Sequence, residues 1–486
     1  MQGIPLKKTK IICTIGPASQ SQVVLEQMIH QGMNIARINF AHGDLDGHRK
    51  TIANVRAAAK ATNQRIAIFG DLPGPKMRIG KLAKEPIELE RGKSFTLQTE
   101  EIVGNRERVS LDFPQLPQVV KPGDSIFIND GYIELKVEEV RAHEVLCQVK
   151  VGGELRSNKG VNFPGIDLGI SAFTKQDHEL LKFAAEQQLT AVSQSFVLGA
   201  ADITAVRQAA SKLNYNPFVI AKIERSGALE HLNEIINASD GIMVARGDLG
   251  VEIPIEKIPS VQKQIIQKCN LTSKPVITAT QMLESMTNNR RPTRAEATDV
   301  ANAILDGTDC VMLSGETAVG HYPQDTVRVM ARIAQQTEAN MPEFGIADLL
   351  TIKKRQGTIS RNDLLSLAVY STAKMVTPVV IFIPSRSGTT ARHLSRFRLP
   401  QWIVAPSQHE STCQELQFSY GIYPLYVSEA DILTEPCLRR QFAGQWLQEH
   451  AKQEDTGTVL LVEGAGTLRA EDTKRIDIIA LGTEIK

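Results

Sequence analysis

The chain has 486 residues, of which 42% are hydrophobic and 22% charged, and this composition predicts a globular protein of roughly three domains. A formal net charge of +1 gives no indication of a nucleic-acid or membrane partner, and no apolar window is long enough to span a membrane. The six cysteines form no C-x-x-C pair, and no apolar signal segment follows Met1, so we expect a reduced, cytoplasmic protein.

Residues 1–73 are predicted to form the first part of a barrel. Short apolar runs alternate there with segments of helical periodicity, and Gly32 stands where a helix is expected to end. The predicted strands cover residues 10–15, 34–40 and 65–71.

Residues 74–164 have a different pattern and are predicted to form an inserted all-β lid. Alternating apolar and polar runs at 87–90 and 125–128 are separated by turns rich in proline, glycine and asparagine. Gly74-Pro75 and Pro164-Gly165 flank the insertion as candidate hinges. An insertion at the catalytic end of a barrel is well placed to cover an active site.

Residues 165–344 return to the alternation and are predicted to complete the barrel. A capping box at Thr293 and Glu296 begins one helix, and Gly307 is expected to end it. Eight strand–helix units predict a closed (β/α)8 barrel, with the active site at the carboxyl ends of the strands. A doubly wound open sheet is the alternative. The five further strands cover residues 190–196, 217–224, 241–248, 275–281 and 309–316.

Two charged clusters end neighbouring predicted strands. Lys222 and Glu224 form the first, and Asp248 follows one strand–helix unit later. Two acids can hold a divalent metal beside a fixed ammonium, a combination that suits phosphoryl transfer. The backbone amides of Gly247 and Asp248, which open the next helical turn, could hold a substrate carboxylate. A surface ion pair is the alternative for either cluster alone.

Polar side chains are expected at the other strand ends as well. Several cations around two carboxylates predict an anionic, phosphate-bearing substrate bound with a metal. For His42, a hydrogen-bonded structural role is the alternative. The further side chains at these ends are Arg37, Asn39, His42, Asp71, Lys76, Arg78, Arg246, Thr278, Thr280, Ser314 and Glu316.

Residues 345–486 are predicted to form a separate open α/β sheet domain, with strands at 379–383, 402–405, 423–427, 458–462 and 476–481. A loop rich in serine, threonine and glycine follows the first of these strands. Backbone amides, hydroxyls and an arginine at a helix start can bind phosphate, whereas an ordinary helix cap is the alternative. The loop residues are Ser385, Arg386, Ser387, Gly388, Thr389 and Thr390.

Several stretches of the chain resemble the pyruvate kinase family. The resemblance extends from about residue 9 to 340, and more loosely to the C-terminus through the loop at 384–392. It implies a barrel interrupted by a β lid, followed by a regulatory domain, in a cytoplasmic homotetramer of glycolysis. The matching stretches are TKIICTIGPAS (9–19), NIARINF (34–40), AKIE (221–224), MVARGDLG (243–250), ATQMLESM (279–286), RPTRAE (291–296) and MLSGETA (312–318).

The resemblance also implies a reaction, in which phosphoenolpyruvate and ADP give pyruvate and ATP. By position, Lys222 neutralises the moving phosphoryl group, while Glu224 and Asp248 bind Mg²⁺, with Mn²⁺ as an alternative. Thr280 positions phosphoenolpyruvate together with Gly247 and Asp248, and relays a proton to the enolate.

Further binding roles follow from the same resemblance. Arg37 and Arg78 contact phosphoryl groups, and Asn39, His42 and Lys159 border the nucleotide. The loop at 385–390 is implied to bind a sugar phosphate or a nucleotide as an allosteric effector.

One cluster departs from the pattern of family members that need K⁺. Those members have serine at position 41, threonine and lysine at 72 and 73, and glutamate at 76, whereas this chain has Ala41, Leu72, Pro73 and Lys76. We therefore expect the Lys76 ammonium to replace K⁺, which the enzyme would not need. A lysine that points to solvent is the alternative. The arginine common in the family at the position of Leu198 is also absent here.

Two other functions compete with this interpretation. A metal-dependent pyruvate aldolase or lyase would also place carboxylates and Mg²⁺ against an enolate, but it has no phosphoryl group for Lys222 to neutralise. A catalytically inactive phosphosugar sensor would retain only the C-terminal loop, and loss of Lys222, Glu224 or Asp248 would favour it. All three residues are present.

Overall fold

The computed structural model describes residues 4–342, 345–355, 358–429, 435–450, 457–463 and 475–480. Its first part contains three strands that are buried along most of their length, and two helices. Gly32 has φ 115°, so the chain turns directly after the first helix at a position that favours glycine. The elements are β1 (Lys10–Thr14), α1 (Gln22–His30), β2 (Ile35–Asn39), α2 (Leu45–Ala61) and β3 (Ala67–Leu72).

The next elements form a separate β structure with its own apolar core. A six-stranded sheet has the order β11-β7-β8-β9-β5-β6, and β4 pairs with β10. Phe95, Leu97, Ile126 and Leu135 are fully buried in that core, as alternation along its strands requires. The elements are β4 (Ile87–Leu89), β5 (Ser94–Gln98), β6 (Arg108–Ser110), α3 (Leu116–Val119), β7 (Ser125–Ile128), β8 (Ile133–Val140), β9 (Glu144–Val151), β10 (Gly153–Leu155) and β11 (Val161–Asn162).

The chain then returns to the barrel, which is closed and has the strand order β1-β16-β15-β14-β13-β12-β3-β2. Closure by eight parallel strands confirms the predicted barrel and excludes the open sheet. The predicted capping box is present, since Thr293 and Glu296 bond reciprocally. The elements are α4 (Lys175–Glu186), β12 (Ala191–Gln194), α5 (Ala200–Lys212), β13 (Phe218–Ile223), α6 (Leu232–Ala238), β14 (Gly241–Ala245), α7 (Arg246–Glu252), α8 (Ile258–Thr272), β15 (Val276–Ala279), α9 (Arg294–Leu305), β16 (Cys310–Leu313), α10 (Gly315–Ala318) and α11 (Pro323–Ala339).

Several predicted strands end earlier than expected, and this changes the position of three polar residues. Asp248 lies in α7 instead of a strand end, and Thr280 follows β15 with φ 67°. Glu316 lies in α10, is fully buried and accepts hydrogen bonds from the amides of Leu283 and Ser314 at 3.1 and 2.7 Å. Glu316 therefore fixes the chain after β16. At two of these ends the helix follows the strand almost directly, since α7 begins at the residue after β14 and α10 begins two residues after β16, so no loop separates strand from helix.

The C-terminal region contains an open five-stranded sheet of order β19-β18-β17-β20-β21, as predicted, in which β21 alone is antiparallel to its neighbour. Residue 481, predicted to end the last strand, lies outside the described residues. Within the described part of the chain, no helix combines the length and apolar character needed to cross a membrane. The elements are α12 (Ile346–Arg355), α13 (Arg361–Val376), β17 (Val380–Phe382), α14 (Thr389–Ser395), β18 (Trp402–Ser407), α15 (Glu410–Glu415), β19 (Ile422–Tyr426), α16 (Pro436–His450), β20 (Thr458–Glu463) and β21 (Arg475–Ala480).

Candidate active site

The ammonium of Lys222 lies at the carboxyl end of the barrel among three oxygen-bearing side chains. Its Nζ donates to Ser195 Oγ at 2.6 Å and lies 3.5 Å from Asp71 Oδ1 and 3.3 Å from Glu224 Oε2. Burial opposes the charge, but the carboxylates of Asp71 and Glu224 outweigh it and raise the pKa of Lys222 above its usual value. The side chain is therefore a fixed cation at neutral pH.

Asp71 joins this lysine to a second cation. Burial favours its neutral form, but Lys222, Arg37 and Ser193 together lower the pKa of Asp71 to about 2. The Arg37 guanidinium donates to Asp71 Oδ2 through Nε at 2.9 Å and to Thr14 Oγ1 at 3.0 Å, and Ser193 Oγ donates to Asp71 Oδ1 at 2.6 Å. The orientation of Arg37 is thus fixed beside Lys222.

Glu224 has one satisfied carboxylate oxygen and one without a hydrogen bond. Oε1 accepts the Phe196 amide at 2.6 Å, whereas the buried Oε2 has only the 3.3 Å ionic contact with Lys222 and no hydrogen bond. Burial raises the pKa of Glu224 to about 6, and the Asp248 carboxylate adds to this rise against the opposing effect of Lys222. A divalent cation beside Oε2 would offset both the burial of the negative charge and its repulsion by the Asp248 carboxylate.

These residues fit a magnesium ion. The described residues contain no group of three or more acidic, histidine or cysteine side chains that could hold a metal by themselves. Mg²⁺ is usually bound by one or two carboxylates together with substrate oxygens and water. Glu224, with its orphaned buried oxygen, and Asp248, which is 28% exposed, are the residues that would hold it.

Thr280 is held against the first turn of α7. Its Oγ1 accepts the Gly247 amide at 2.7 Å and donates to the Ala279 carbonyl at 2.6 Å. Arg246 was expected to add a cation to the substrate pocket. Instead it donates to the Thr280 carbonyl at 2.8 Å and pairs with Asp299 at 2.7 Å. Arg246 therefore holds the strained turn that carries Thr280.

Lys76, Arg78 and Lys159 lie together where the chain enters and leaves the inserted sheet. The Ile79 amide donates to the Lys159 carbonyl at 3.0 Å, and the backbones of Arg78 and Gly160 form an isolated antiparallel β-bridge. Lys76 Nζ lies 3.7 Å from Asp248 Oδ1, which makes it the member of this group in contact with the barrel site.

Asn39 is the last residue of β2, and His42 lies in the turn that follows it. The Asn39 side-chain oxygen accepts the Ala41 amide at 3.2 Å, and its carbonyl accepts the His42 amide at 3.4 Å. The His42 side chain is exposed.

The loop at 385–390 lies apart from these residues, in the C-terminal sheet domain. Ser385 Oγ accepts the Gly388 amide at 2.8 Å, and the hydroxyls of Ser387 and Thr389 are 3.0 Å apart. Arg392 donates to the Ser387 carbonyl at 3.1 Å. Gly388 has φ 75°, and a side chain there would collide with Leu416, so the turn requires glycine.

Sequence reasoning missed one residue of the cluster around Lys222. Ser195 is 2% exposed and accepts the hydrogen bond of the ammonium. Its position at the end of a predicted strand was the available signal, but that position alone does not distinguish it from a serine that only ends a strand.

The carboxyl end of the closed parallel barrel combines the ammonium of Lys222 with neighbouring carboxylates. This arrangement is typical of barrel enzymes that act on anionic substrates. Two family models match the chain: pyruvate kinase, barrel domain, over residues 6–327, and pyruvate kinase, alpha/beta domain, over residues 363–479.

Individual relatives of this chain carry the same name. A pyruvate kinase of Thermococcus litoralis is 46% identical over 97% of this chain and 94% of its own length. One of Geobacillus stearothermophilus is 42% identical over 86% of this chain and 71% of its own. The crystal structure of a pyruvate kinase from Cryptosporidium parvum superimposes with a TM-score of 0.89 at 35% identity, covering 98% of this chain and 96% of that one. The chain belongs to the pyruvate kinase family and is a phosphotransferase.

Proposed function

We propose that the enzyme transfers the phosphoryl group of phosphoenolpyruvate to ADP, giving pyruvate and ATP, in the cytoplasm. The P–O bond to the enol oxygen breaks, a bond to a β-phosphate oxygen of ADP forms, and the enolate takes up one proton at its methylene carbon. The observation that carries the proposal is the Lys222 ammonium, buried beside Glu224 and Asp71 with its pKa raised.

Each side chain has a role that its contacts support. Lys222 and Arg37 neutralise the phosphoryl group as it moves. Thr280, held by the Gly247 amide, positions phosphoenolpyruvate and relays the proton to the enolate. Mg²⁺ held by Glu224 and Asp248, or Mn²⁺ in its place, would supply further charge neutralisation.

The nucleotide is proposed to lie between the barrel and the inserted sheet. Arg78 and Lys159, on adjoining segments, would meet its phosphates. Asn39, at the end of β2, and His42, in the turn that follows, would border it. The exposed side chain of His42 is open to a ligand.

Within this function we propose that K⁺ is not required. Lys76 has an exposed fraction of 32% and its Nζ lies 3.7 Å from Asp248, so its ammonium lies beside the barrel site while part of the side chain is accessible to solvent. An ammonium tethered there provides a positive charge without a binding equilibrium. With tetramethylammonium as the only monovalent cation, most activity should remain. A loss of about a hundred-fold, some 2.7 kcal/mol of barrier, would contradict this assignment.

We propose further that the enzyme is a homotetramer in which a sugar phosphate or nucleotide binds the loop at 385–390. Hydroxyls of Ser387 and Thr389 lie together at this loop, near Arg392. A panel of such effectors should shift the phosphoenolpyruvate saturation curve, by a coupling of roughly 1–3 kcal/mol. Replacing Ser387 and Thr389 with glutamate should abolish the shift and leave basal activity intact.

The decisive experiment is a coupled assay of pyruvate formation from phosphoenolpyruvate and ADP with Mg²⁺. Turnover that requires both substrates supports the proposal. Aldol cleavage or condensation of pyruvate without ADP would favour the aldolase alternative. Effector binding without any turnover would favour the inactive sensor.

A further inference from the structure

The two residues that follow β12, Ser195 and Phe196, each contact one member of the Lys222–Glu224 pair. Ser195 Oγ accepts from Lys222 Nζ at 2.6 Å, and the Phe196 amide donates to Glu224 Oε1 at 2.6 Å. One short segment directly after β12 therefore holds both the ammonium of Lys222 and the carboxylate of Glu224.

The Ser195 contact is the shortest that the ammonium makes. The contacts of Lys222 with Glu224 and Asp71, at 3.3 and 3.5 Å, are ionic and lack hydrogen-bond geometry. Among the described residues, Ser195 is the one hydrogen-bond acceptor of Lys222. It is also 2% exposed, so bulk water does not compete for the contact.

We propose that Ser195 is a positioning residue that sets the location of the Lys222 ammonium for phosphoryl transfer. This inference rests on the proposed function. Two carboxylates attract an ammonium from different directions without fixing a distance, because Coulomb attraction changes slowly with position. A hydrogen bond to a buried hydroxyl is directional and fixes where the charge lies.

The segment is itself held in place, as a positioning role requires. The Ser195 amide donates to the Leu72 carbonyl at 3.3 Å, and the buried side chain of Gln194 donates to the carbonyls of Ser195 and Ala172 at 3.0 and 2.7 Å. Phe196 has φ 59°, a conformation that persists only where its surroundings fix it.

The same segment packs against Gly74, close to the start of the inserted sheet. A methyl group on Gly74 would lie 3.1 Å from Phe196 Cδ2 and 3.2 Å from the Ser195 carbonyl oxygen. Gly74 also has φ 63°, so a side chain there is disfavoured by both space and conformation. The close fit limits how far Ser195 can move.

The test compares three substitutions at one position. Ser195→Ala removes the acceptor, Ser195→Cys keeps the bulk but accepts weakly, and Ser195→Thr keeps the hydroxyl. Because misplacing a catalytic group by about 1 Å can cost on the order of a hundred-fold, we expect kcat to fall roughly 10- to 100-fold in the first two variants. The KM for phosphoenolpyruvate should change less than about two-fold, and Ser195→Thr should recover most of kcat.

Ser239→Ala serves as the matched control, because it also deletes one fully buried hydroxyl, which donates to the Ile235 carbonyl at 2.8 Å away from the site. Its kcat should equal that of the wild type. The melting temperature of every variant and its Mn²⁺ affinity without substrates separate misplacement of Lys222 from a general loss of structure.

The order of kcat among the variants decides the question. An order that follows the hydroxyl, with threonine above cysteine and alanine, supports the positioning role. A kcat that falls as the side chain becomes larger, with alanine above cysteine and cysteine above threonine, or an unchanged kcat in Ser195→Ala, overturns it. A parallel fall in kcat, melting temperature and Mn²⁺ affinity also overturns it. An inactive wild type would instead reject the proposed function, so the two failures are distinguishable.

Discussion

Lysines are buried at both ends of the barrel, but their surroundings differ. At the carboxyl end, the carboxylates of Asp71 and Glu224 outweigh the cost of burial and raise the pKa of Lys222. At the amino end, burial dominates and lowers the pKa of Lys7 to about 8 and that of Lys10 to about 7. Burial alone therefore does not decide whether a lysine keeps its charge. For Lys222 the neighbouring carboxylates preserve it.

Charges at the amino end connect the barrel to the C-terminal sheet. Lys10 Nζ donates to the Ile422 carbonyl at 2.7 Å, which joins β1 to the C-terminal sheet. Arg398 donates to Asp309 Oδ1 and Asn270 Oδ1, both at 2.9 Å, and Asp309 also accepts the Tyr420 amide at 2.9 Å. This division agrees with the general rule that barrels carry chemistry at the carboxyl end and stability at the other.

The largest effect is expected on kcat, when the lysine charge is removed at the carboxyl end of the barrel. Lys222→Met should lower kcat by about a thousand-fold or more, some 4 kcal/mol of barrier, because the moving phosphoryl group loses its fixed cation. The KM for phosphoenolpyruvate should change little. Steady-state kinetics of folded protein test this.

Lys10→Met is the matched control, because it makes the same substitution at the amino end. Its kcat should stay within about three-fold of the wild type, because a substitution at the amino end has only a small effect on a reaction at the carboxyl end. A drop of less than ten-fold in Lys222→Met, or equal losses in both variants, would remove the distinction between the two ends.

The sequence predicted the barrel because its eight apolar runs recur with helices between them. It also placed Lys222 and Glu224 correctly at one strand end, since charged side chains on a buried strand can lie only near its tip. It did not show that Asp71 would share Lys222 with Glu224, because contacts between strands distant in sequence depend on the register of the closed barrel. Nor did it show that Arg246 would pair with Asp299, for the same reason, since Asp299 lies on α9.

A second prediction concerns the stability of the amino end. Arg398→Met should lower the free energy of unfolding by about 3 kcal/mol, because it leaves the buried carboxylate of Asp309 without its ionic partner. The kcat of the remaining folded enzyme should be nearly unchanged. Chemical denaturation measures the first quantity and initial rates the second. Wild-type stability in the variant would show that Arg398 contributes nothing net to the connection between the domains.

The third prediction concerns metal binding at the carboxyl end. Glu224→Gln should weaken Mn²⁺ binding by about 10- to 100-fold, because an amide oxygen lacks the charge of the carboxylate that holds a divalent cation. Glu338→Gln makes the same change at the amino end, where Glu338 accepts the amides of Lys8 and Thr9 at 2.7 Å. That control should retain the full affinity. Equal Mn²⁺ titrations for the two variants would exclude Glu224 as a ligand.

The smallest expected effect is the pH dependence of stability that the amino-end lysines produce. The folded pKa of Lys10, about 7, lies below its usual 10.5, so between these values the unfolded chain binds a proton that the folded chain has released. Stability from this group must therefore rise with pH across that window, and the full cost of burying its charge is present below about pH 7. The stability of the wild type relative to Lys10→Met should increase from pH 6.5 to pH 9, by roughly 2 °C in melting temperature. Lys60→Met, which removes an exposed charge on α2, should show no such trend. A constant or falling difference for Lys10→Met would mean that Lys10 keeps its proton when buried, and the contrast between the two ends of the barrel would then be one of position and not of charge.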